Sequence, residues 1–287
     1  MKNAPRAEFE QRLSRWQSDP SLLEPEQFVR RTEILDELDR YSEADLVSAS
    51  AASDLINQIR ALATKLESIN VHLFNSIRHQ IRAGLYPGEF ASIFSDLAIT
   101  PRGVNYDHLD DLIAGIFQFD PPSSESRILD PDSVFYQPTP ARHIFHLITA
   151  ASVTKADTLI DLGSGLGHVP LLVSICTGAT AIGIELEPAW IASARHCATA
   201  LNLHNVVFQL EDAREADLSS GTIFYLYTPF TGATLASVLH SLRIQAALRP
   251  IRICTFGPCT LALSNQSWLE PLTTPAADRV TIFLPRA

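Results

Sequence analysis

The residues with the clearest chemical meaning lie in the segment 158–167, Thr-Leu-Ile-Asp-Leu-Gly-Ser-Gly-Leu-Gly. Asp161 follows an apolar run, and glycines occupy positions 163, 165 and 167. Because glycine lets the backbone turn tightly and approach a ligand closely, this pattern predicts a strand, a turn and a helix around a nucleotide-like molecule. A dinucleotide fingerprint requires its third glycine three residues after the second, where this chain has His168. The spacing therefore argues against NAD.

Carboxylates also end the second and third predicted strands. Glu185 ends the apolar run that begins at residue 181, and an acid there suits a ribose diol, because one carboxylate accepts hydrogen bonds from two hydroxyl groups. Asp212, followed by Ala213, ends the third strand, with Glu211 as a competing acid at the same corner. Since the carboxyl ends of parallel strands meet at one edge of a sheet, we expect these acids near the glycine turn.

The fourth predicted strand, 223–227, brings aromatic and hydroxyl groups to the same edge. It ends in Thr228, Pro229 and Phe230. We interpret its two tyrosines, Tyr225 and Tyr227, as facing opposite sides of the strand, so that only one of them borders the site.

A loop upstream of the first strand adds one more candidate. Thr139 is expected to cap a helix that begins at Pro140. Capping does not explain Phe135 and Tyr136, because no apolar periodicity accounts for them. A loop in this place can fold over the ligand end of the sheet, so Tyr136 is a candidate to cover the ligand or to line a substrate channel.

The elements that position these residues follow from the alternation of strands and helices after residue 126. Such alternation predicts an α/β fold with a mainly parallel sheet and helices on both faces. The predicted strands are 158–162, 181–186, 206–210, 223–227, 251–256 and 279–284, with a further strand available in 267–275. The predicted helices are 167–178, 188–202 and 232–247.

The N-terminal part is predicted to be an all-α domain. Helices are expected at 6–18, 25–41, 51–84, 88–97 and 105–117. The helix 51–84 carries one apolar stripe at steps of three and four, so we expect it to pack in a hairpin or bundle, or to form a homo-oligomer through a second chain. The linker-like composition of 120–126 places the domain boundary near 125, giving domains 1–125 and 126–287.

Composition narrows the function classes. The 287 residues carry a formal net charge of −10, which disfavours gripping long nucleic acid and favours a cationic partner. The four cysteines form no Cys-x-x-Cys pair and are interpreted as buried thiols in a reducing compartment. His143 and His146 have a spacing compatible with metal ligation, but no third ligand is apparent, so no metal site is predicted.

The sequence also bears on targeting and on membrane-spanning segments. No apolar run approaches the about 20 residues of a membrane span. The polar stretch 1–10 lacks the apolar core of a signal peptide. We therefore expect a cytoplasmic protein that does not associate with membranes.

Through the segment Asp161-Leu-Gly-Ser-Gly-Leu-Gly, Glu185 and the strand end at Thr228, the region from about 135 to 230 resembles the class I S-adenosylmethionine (SAM) methyltransferases. The Pro-Thr-Pro loop, Gly183-Ile-Glu and Tyr225-Leu-Tyr are similar to the non-SET protein-lysine methyltransferases of the disruptor-of-telomeric-silencing type and their prokaryotic relatives.

The resemblance implies a Rossmann-like, seven-stranded sheet and SAM as the cofactor. It places Asp212 near the adenine amino group and Thr228 beside the transferred methyl. The catalytic candidates are Tyr136, Tyr227 and Thr228, with the two tyrosines expected to orient an amine through hydroxyl or ring contacts. The residues implied to hold SAM are Asp161, Gly163, Ser164, Gly165, Gly167, Glu185, Asp212 and Ala213.

Three functions remain open at this stage. The first is a methyltransferase acting on a protein lysine or another amine. The second is a small-molecule methyltransferase with the helical part as a lid. The third is a non-catalytic SAM-binding interaction protein that assembles through the long helix. Thr228 lacks the side-chain carbonyl that would hold a planar amino group, which argues against bases or glutamine as acceptors.

Overall fold

The computed structural model describes residues 4–45, 53–86, 103, 105–120 and 136–286. The chain divides into two compact units, Met1–Gln80 with Pro87–Ser95, and Ile81–Tyr86 with Asp96–Ala287. The predicted helix 88–97 and the predicted boundary near 125 lie outside the described residues. No helix of the described part is both long and apolar enough to cross a membrane.

The first unit is helical, as predicted. It contains α1 (Ala4–Ser18), two 3-10 turns (Pro20–Leu23 and Pro25–Gln27), α2 (Phe28–Asp45) and most of α3 (Ser53–Arg82). The first half of the α3 stripe packs into one apolar cluster with residues of α1 and α2, so the predicted bundle is present. The last stripe residues, Leu73, Ile77 and Ile81, are also buried within the single chain. Assembly through this helix stays a prediction.

The second unit contains the predicted α/β fold. Its helices are α4 (His108–Phe117), α5 (Ala141–Ala150), α6 (His168–Thr177), α7 (Pro188–Ala200), α8 (Gly232–Leu248) and α9 (Cys259–Ser264). Its strands are β1 (Thr158–Leu162), β2 (Thr180–Glu185), β3 (Val206–Leu210), β4 (Ile223–Tyr227), β5 (Arg252–Phe256), β6 (Leu269–Pro271) and β7 (Thr281–Pro285).

The seven strands form one sheet in the order β3-β2-β1-β4-β5-β7-β6. Strands β1 to β5 are parallel, and β7 runs antiparallel to both β5 and β6. The predicted Rossmann-like, seven-stranded sheet is thus confirmed, and β6 lies in the segment that offered a further strand. The order reverses between β1 and β4, and ligands of open α/β sheets bind at the carboxyl ends of strands beside such a switch point.

The central strands are apolar because both of their faces are covered. Leu159, Ile160 and Leu162 of β1 and Ile223 to Leu226 of β4 are almost fully buried, as expected of parallel strands between two helical layers. The four cysteines are free thiols, with Cys197, Cys254 and Cys259 buried and Cys176 partly buried. The carboxyl ends of β1 and β4 carry the polar side chains considered next.

Candidate functional site

The glycine turn after β1 is held against the end of β2. The amides of Gly163 and Ser164 both donate to the carbonyl oxygen of Ile184, at 2.9 and 3.0 Å, and the amide of Gly167 donates to the carbonyl of Ser164 at 2.8 Å. Gly163, Gly165 and Gly167 have φ angles of 86°, 53° and 86°, a region that side chains disfavour.

Space also restricts these positions to glycine. A Cβ on Gly163 would lie 2.2 Å from the Cβ of Pro229, and one on Gly165 would lie 2.0 Å from the ring of Tyr136. A Cβ on Gly167 would lie 2.5 Å from the ring of Phe208. The three glycines therefore bring the turn into contact with β3, with the end of β4 and with the upstream loop.

Asp161 lies beneath this turn at the end of β1. Its side chain is 4% exposed, and no described residue donates a hydrogen bond to its carboxylate. Burial, followed by the nearby carboxylate of Glu185, raises the pKa of Asp161 well above its usual range. Because this largely buried carboxylate has no donor or cation among the described residues, the position is suited to a ligand that supplies a cation or N–H donors.

Glu185 ends β2, and three backbone amides hold its carboxylate. Oε2 accepts a hydrogen bond from Gly165 at 2.9 Å, and Oε1 accepts from Leu186 at 2.7 Å and from Glu187 at 3.0 Å. Burial raises the pKa of Glu185 although these amides act in the opposite direction. Because each oxygen has two lone pairs, Oε2 keeps one free for a ligand hydroxyl.

Asp212 and Ala213 lie just beyond the end of β3. The guanidinium of Arg214 binds the Asp212 carboxylate through Nε and Nη2, with Nη2 at 2.6 Å from Oδ2. These hydrogen bonds lower the pKa of Asp212. Ala213 is buried in the core. A role for Asp212 toward an adenine amino group stays a prediction, and the sequence did not reveal its ion pair with Arg214.

Tyr136 lies over the glycine turn, as the position of its loop predicted. Its ring fills the space above Gly165 and packs on Trp190 with ring centroids 4.4 Å apart. The hydroxyl accepts a hydrogen bond from the amide of Leu166 at 3.4 Å and lies 3.5 Å from Nδ1 of His168. Burial raises the pKa of Tyr136, so the phenol stays neutral. Phe135 lies outside the described residues.

The prediction that Tyr225 and Tyr227 face opposite sides of β4 was wrong. Strand side chains alternate with a period of two, so residues two apart share a face. The Tyr225 hydroxyl lies 3.0 Å from Oγ1 of Thr139, and the Tyr227 hydroxyl donates to Oε1 of Gln137 at 3.2 Å. Both tyrosines therefore face the upstream loop; Tyr225 is buried and Tyr227 is partly exposed.

Thr228 follows β4 in a left-handed conformation, with φ of 41°. Its hydroxyl donates to the carbonyl of Phe256 at 3.2 Å and accepts from the amide of Cys259 at 3.0 Å. These two hydrogen bonds fix the strand end to the turn after β5 and leave the hydroxyl without a proton to donate elsewhere.

His143 has a packing role in the structure. The side chain is fully buried, Nε2 lies 2.7 Å from the carbonyl oxygen of Gly103, and the ring packs on Phe256 with centroids 4.3 Å apart. Burial lowers the pKa of His143.

Sequence reasoning missed the residues just before α4 and in its first turn. The Tyr106 hydroxyl donates to the carbonyl of Pro138 at 2.7 Å, and Asp110 Oδ1 accepts from the amide of Ala141 at 2.8 Å. Asp107 caps α4 and pairs with Arg142. The only available sequence signal was the capping box of Asp107 and Asp110, which marks a helix start and gives no hint of a contact with a loop thirty residues away.

No family model matches the chain, and no curated relative matches it. Among solved structures, the chain is similar to an RNA methyltransferase from Salinibacter ruber in complex with S-adenosyl-L-homocysteine, at 26% identity over 52% of this chain and 92% of that one, with a TM-score of 0.43.

It is also similar to a putative methyltransferase from Escherichia coli, at 18% identity over 54% and 90% of the two chains, with a TM-score of 0.44. A third similar structure is a SAM-dependent methyltransferase from Thiobacillus denitrificans in complex with S-adenosyl-L-homocysteine. That match has 21% identity over 46% and 51% of the two chains, with a TM-score of 0.34.

Proposed function

We propose that the chain is a SAM-dependent methyltransferase that acts on an amine. The observation that carries this proposal is the Asp161 carboxylate, which is buried at the switch point of a methyltransferase-type sheet and has neither donor nor cation among the described residues. The α-ammonium group of SAM is a cation with N–H donors, so it would supply the partner that this carboxylate lacks.

The other residues of the turn fit the same ligand. Glu185 keeps a lone pair on Oε2 for a ribose hydroxyl, and its three amide partners fix the carboxylate in place. Gly163 is exposed at the turn and is available for close backbone approach. In this arrangement Asp161 would bind the ammonium group of SAM and Glu185 would bind its ribose. Asp212 and Ala213 would lie beside its adenine.

SAM supplies an electrophilic methyl group on a sulfonium. The protein's part is to hold a nucleophile in line with that group, an orientation effect that contributes several kcal/mol in general. The groups nearest this role are Tyr227 and the strand end at Thr228. The Thr228 hydroxyl is engaged in two internal hydrogen bonds, so we assign it a positioning role. No general base is assigned.

An amine acceptor is favoured over a base or an amide. The strand end offers no side-chain carbonyl for a planar amino group, and the net charge of −10 favours a cationic partner over an anionic one. The resemblance to non-SET lysine methyltransferases makes a protein lysine the first acceptor to test. A small-molecule amine is the second.

Methyl transfer from labelled SAM tests the function. The purified protein is incubated with labelled SAM and a size-fractionated cell lysate, and the products are resolved by gel and by mass spectrometry. We expect label on lysine side chains of the protein fraction. Label confined to small metabolites would instead support a small-molecule methyltransferase. SAM binding without any methyl transfer would support a non-catalytic SAM-binding protein. Asp161→Asn is expected to transfer no label, whereas Glu215→Gln, which removes an exposed carboxylate, is the matched control.

A further inference from the structure

Tyr106, Gln137 and Tyr227 form a polar cluster beside the end of β4 that the glycine turn does not use. The Tyr227 hydroxyl donates to Oε1 of Gln137 at 3.2 Å, and Gln137 also influences the pKa of Tyr106. Tyr106 in turn donates to the carbonyl of Pro138 at 2.7 Å. The two phenols come from distant parts of the sequence and bind neighbouring residues of the upstream loop, Gln137 and Pro138.

The cluster lies at the edge of the sheet where the candidate site is. Asp161 of β1 pairs in register with Tyr225 of β4. Gly163 and Tyr227 each follow that pair by two residues, so they lie at the same level, Gly163 in the turn after β1 and Tyr227 as the last residue of β4. A Cβ on Gly163 would lie 2.2 Å from the Cβ of Pro229, so the segments that follow β1 and β4 remain adjacent there.

The hydrogen bonds decide which kind of ligand the phenols can bind. A phenol has one proton to donate, and the protons of Tyr106 and Tyr227 are committed to Pro138 and Gln137. The remaining lone pairs of both oxygens can only accept. Tyr106 is 44% exposed, and Tyr227 is partly exposed with one contact of its ring to Phe256. The cluster therefore suits a ligand with N–H donors.

The charges around the cluster favour a cation. Besides burial, the carboxylate of Asp110 is the charged group that raises the pKa of Tyr106. No described cation contributes to the pKa of either phenol. The nearby Arg142 is paired with Asp107. Burial raises the pKa of Tyr227 to about 12, so the phenols stay neutral and present their ring faces and lone pairs.

We propose that Tyr106, Gln137 and Tyr227 form the subsite that receives the acceptor amine as an alkylammonium group, through phenol oxygens and ring faces. This inference rests on the proposed function, because it names the acceptor side of the same site. A cation over an aromatic ring and hydrogen bonds from N–H to neutral oxygen both favour an ammonium over an alcohol or a carboxylate.

Ligand binding by the full-length protein labelled with 3-fluorotyrosine tests this subsite. The fluorine resonances of residues 106 and 227 are assigned with Tyr106→Phe and Tyr227→Phe. The protein is then titrated with n-butylammonium, and in parallel with n-butanol and butyrate. We expect saturable shifts of both resonances with n-butylammonium only. Tyr227→Phe is expected to weaken n-butylammonium binding about tenfold, which corresponds to one hydrogen bond to a charged group.

The controls separate the subsite from the proposed function. Tyr41→Phe, in the first unit, is expected to leave n-butylammonium binding unchanged, and both site variants are expected to keep the SAM affinity of the wild type. Equal shifts with butyrate or n-butanol, or no saturable shift with n-butylammonium, would overturn the subsite even if SAM binds. A subsite that binds n-butylammonium in a protein that fails to bind SAM would overturn the proposed function alone.

Discussion

At the scale of single residues, the site is defined by a carboxylate for which the described residues provide no hydrogen-bond donor and no cation. Asp161 is buried with no donor, whereas the neighbouring Glu185 accepts three hydrogen bonds. The difference indicates that Glu185 is held in place before a ligand arrives and that Asp161 depends on one. An unmet buried charge lowers stability in the absence of ligand, which gives the first prediction.

Asp161→Asn is expected to increase the free energy of unfolding of the ligand-free protein at about pH 8, by about 1 to 3 kcal/mol. The folded-state pKa of Asp161 is raised above its unfolded value. Its contribution to stability is therefore present below the unfolded pKa and is lost as the pH rises through the folded one. Urea unfolding at several pH values measures the difference. A variant less stable than the wild type at about pH 8, with Glu215→Gln unchanged, would contradict the assignment.

Gly165→Ala is expected to destabilise the protein by about 2 to 4 kcal/mol. The new methyl would meet the ring of Tyr136, and the φ angle of 53° adds backbone strain. In a Tyr136→Ala background the overlap disappears and only the backbone cost of about 1 kcal/mol is expected to remain. The double-mutant cycle measures this coupling by unfolding. An equal cost in both backgrounds would show that Tyr136 does not lie on the turn.

At the scale of elements, the upstream loop is held from both sides. Tyr106, just before α4, binds the loop at Pro138, and Asp110, in the first turn of α4, binds the amide of Ala141 that follows the loop. Strand β4 binds the loop through Tyr225 and Tyr227. Helix α4 belongs by its contacts to the second unit, although its sequence pattern reads as part of a helical N-terminal region. The placement of Tyr136 therefore depends on α4.

Asp110 is expected to make stability depend on pH between about 4 and 6. Burial raises its pKa from 3.8 to about 6. The raised value means that its stabilising contribution is present below the unfolded pKa and is lost as the pH rises through about 6. Asp110→Asn should lose this component of the pH dependence, and Asp111→Asn, a neighbouring exposed acid, should keep it. Thermal unfolding across this range checks the prediction, and identical pH profiles for wild type and Asp110→Asn would refute it.

In the first unit, a buried arginine joins α2 to its neighbours. Arg31 is fully buried, and its Nε donates to Oδ1 of Asn70 at 2.7 Å, while Nη1 donates to the carbonyls of Leu22 and Glu24. Burial lowers the pKa of Arg31, and Nη2 has no partner among the described residues. These contacts tie α3 and the segment before α2 to one guanidinium.

Arg31→Met is expected to lower the free energy of unfolding by about 2 to 4 kcal/mol, because it leaves three acceptors without donors, two of them in buried hydrogen bonds. The matched control is Arg30→Met, which removes an exposed ion pair with Asp19 and is expected to cost about 0 to 1 kcal/mol. Urea unfolding of the two variants compares them directly. Equal costs would show that the buried hydrogen bonds contribute little.

At the scale of the whole molecule, the sequence predicted the kind of fold better than the contacts of the site. Periodicity located β1 to β5, and the glycine spacing located the turn, because both are local signals. The prediction that Tyr225 and Tyr227 face opposite sides of β4 was wrong, because residues two apart on a strand share a face. The parts played by Tyr106 and Gln137 could not be predicted, since they depend on which side chains from separate segments meet after folding.

The same limit applies to the acids. The sequence marks Asp161, Glu185 and Asp212 alike as carboxylates at strand ends. Only the structure distinguishes them: Asp161 has no donor, Glu185 accepts from three amides, and Asp212 is paired with Arg214. Their different surroundings are what make Asp161 the residue on which ligand binding is predicted to depend.

Calorimetric titration of SAM into the wild-type protein tests this claim most directly. We expect saturable one-to-one binding at about pH 8 that weakens as the pH falls, because protonation of Asp161 removes the charge that holds the ammonium. Asp161→Asn should lose the binding and Glu215→Gln should retain it. Absence of SAM binding by the wild type, or equal affinity and pH dependence in Asp161→Asn, would contradict the account.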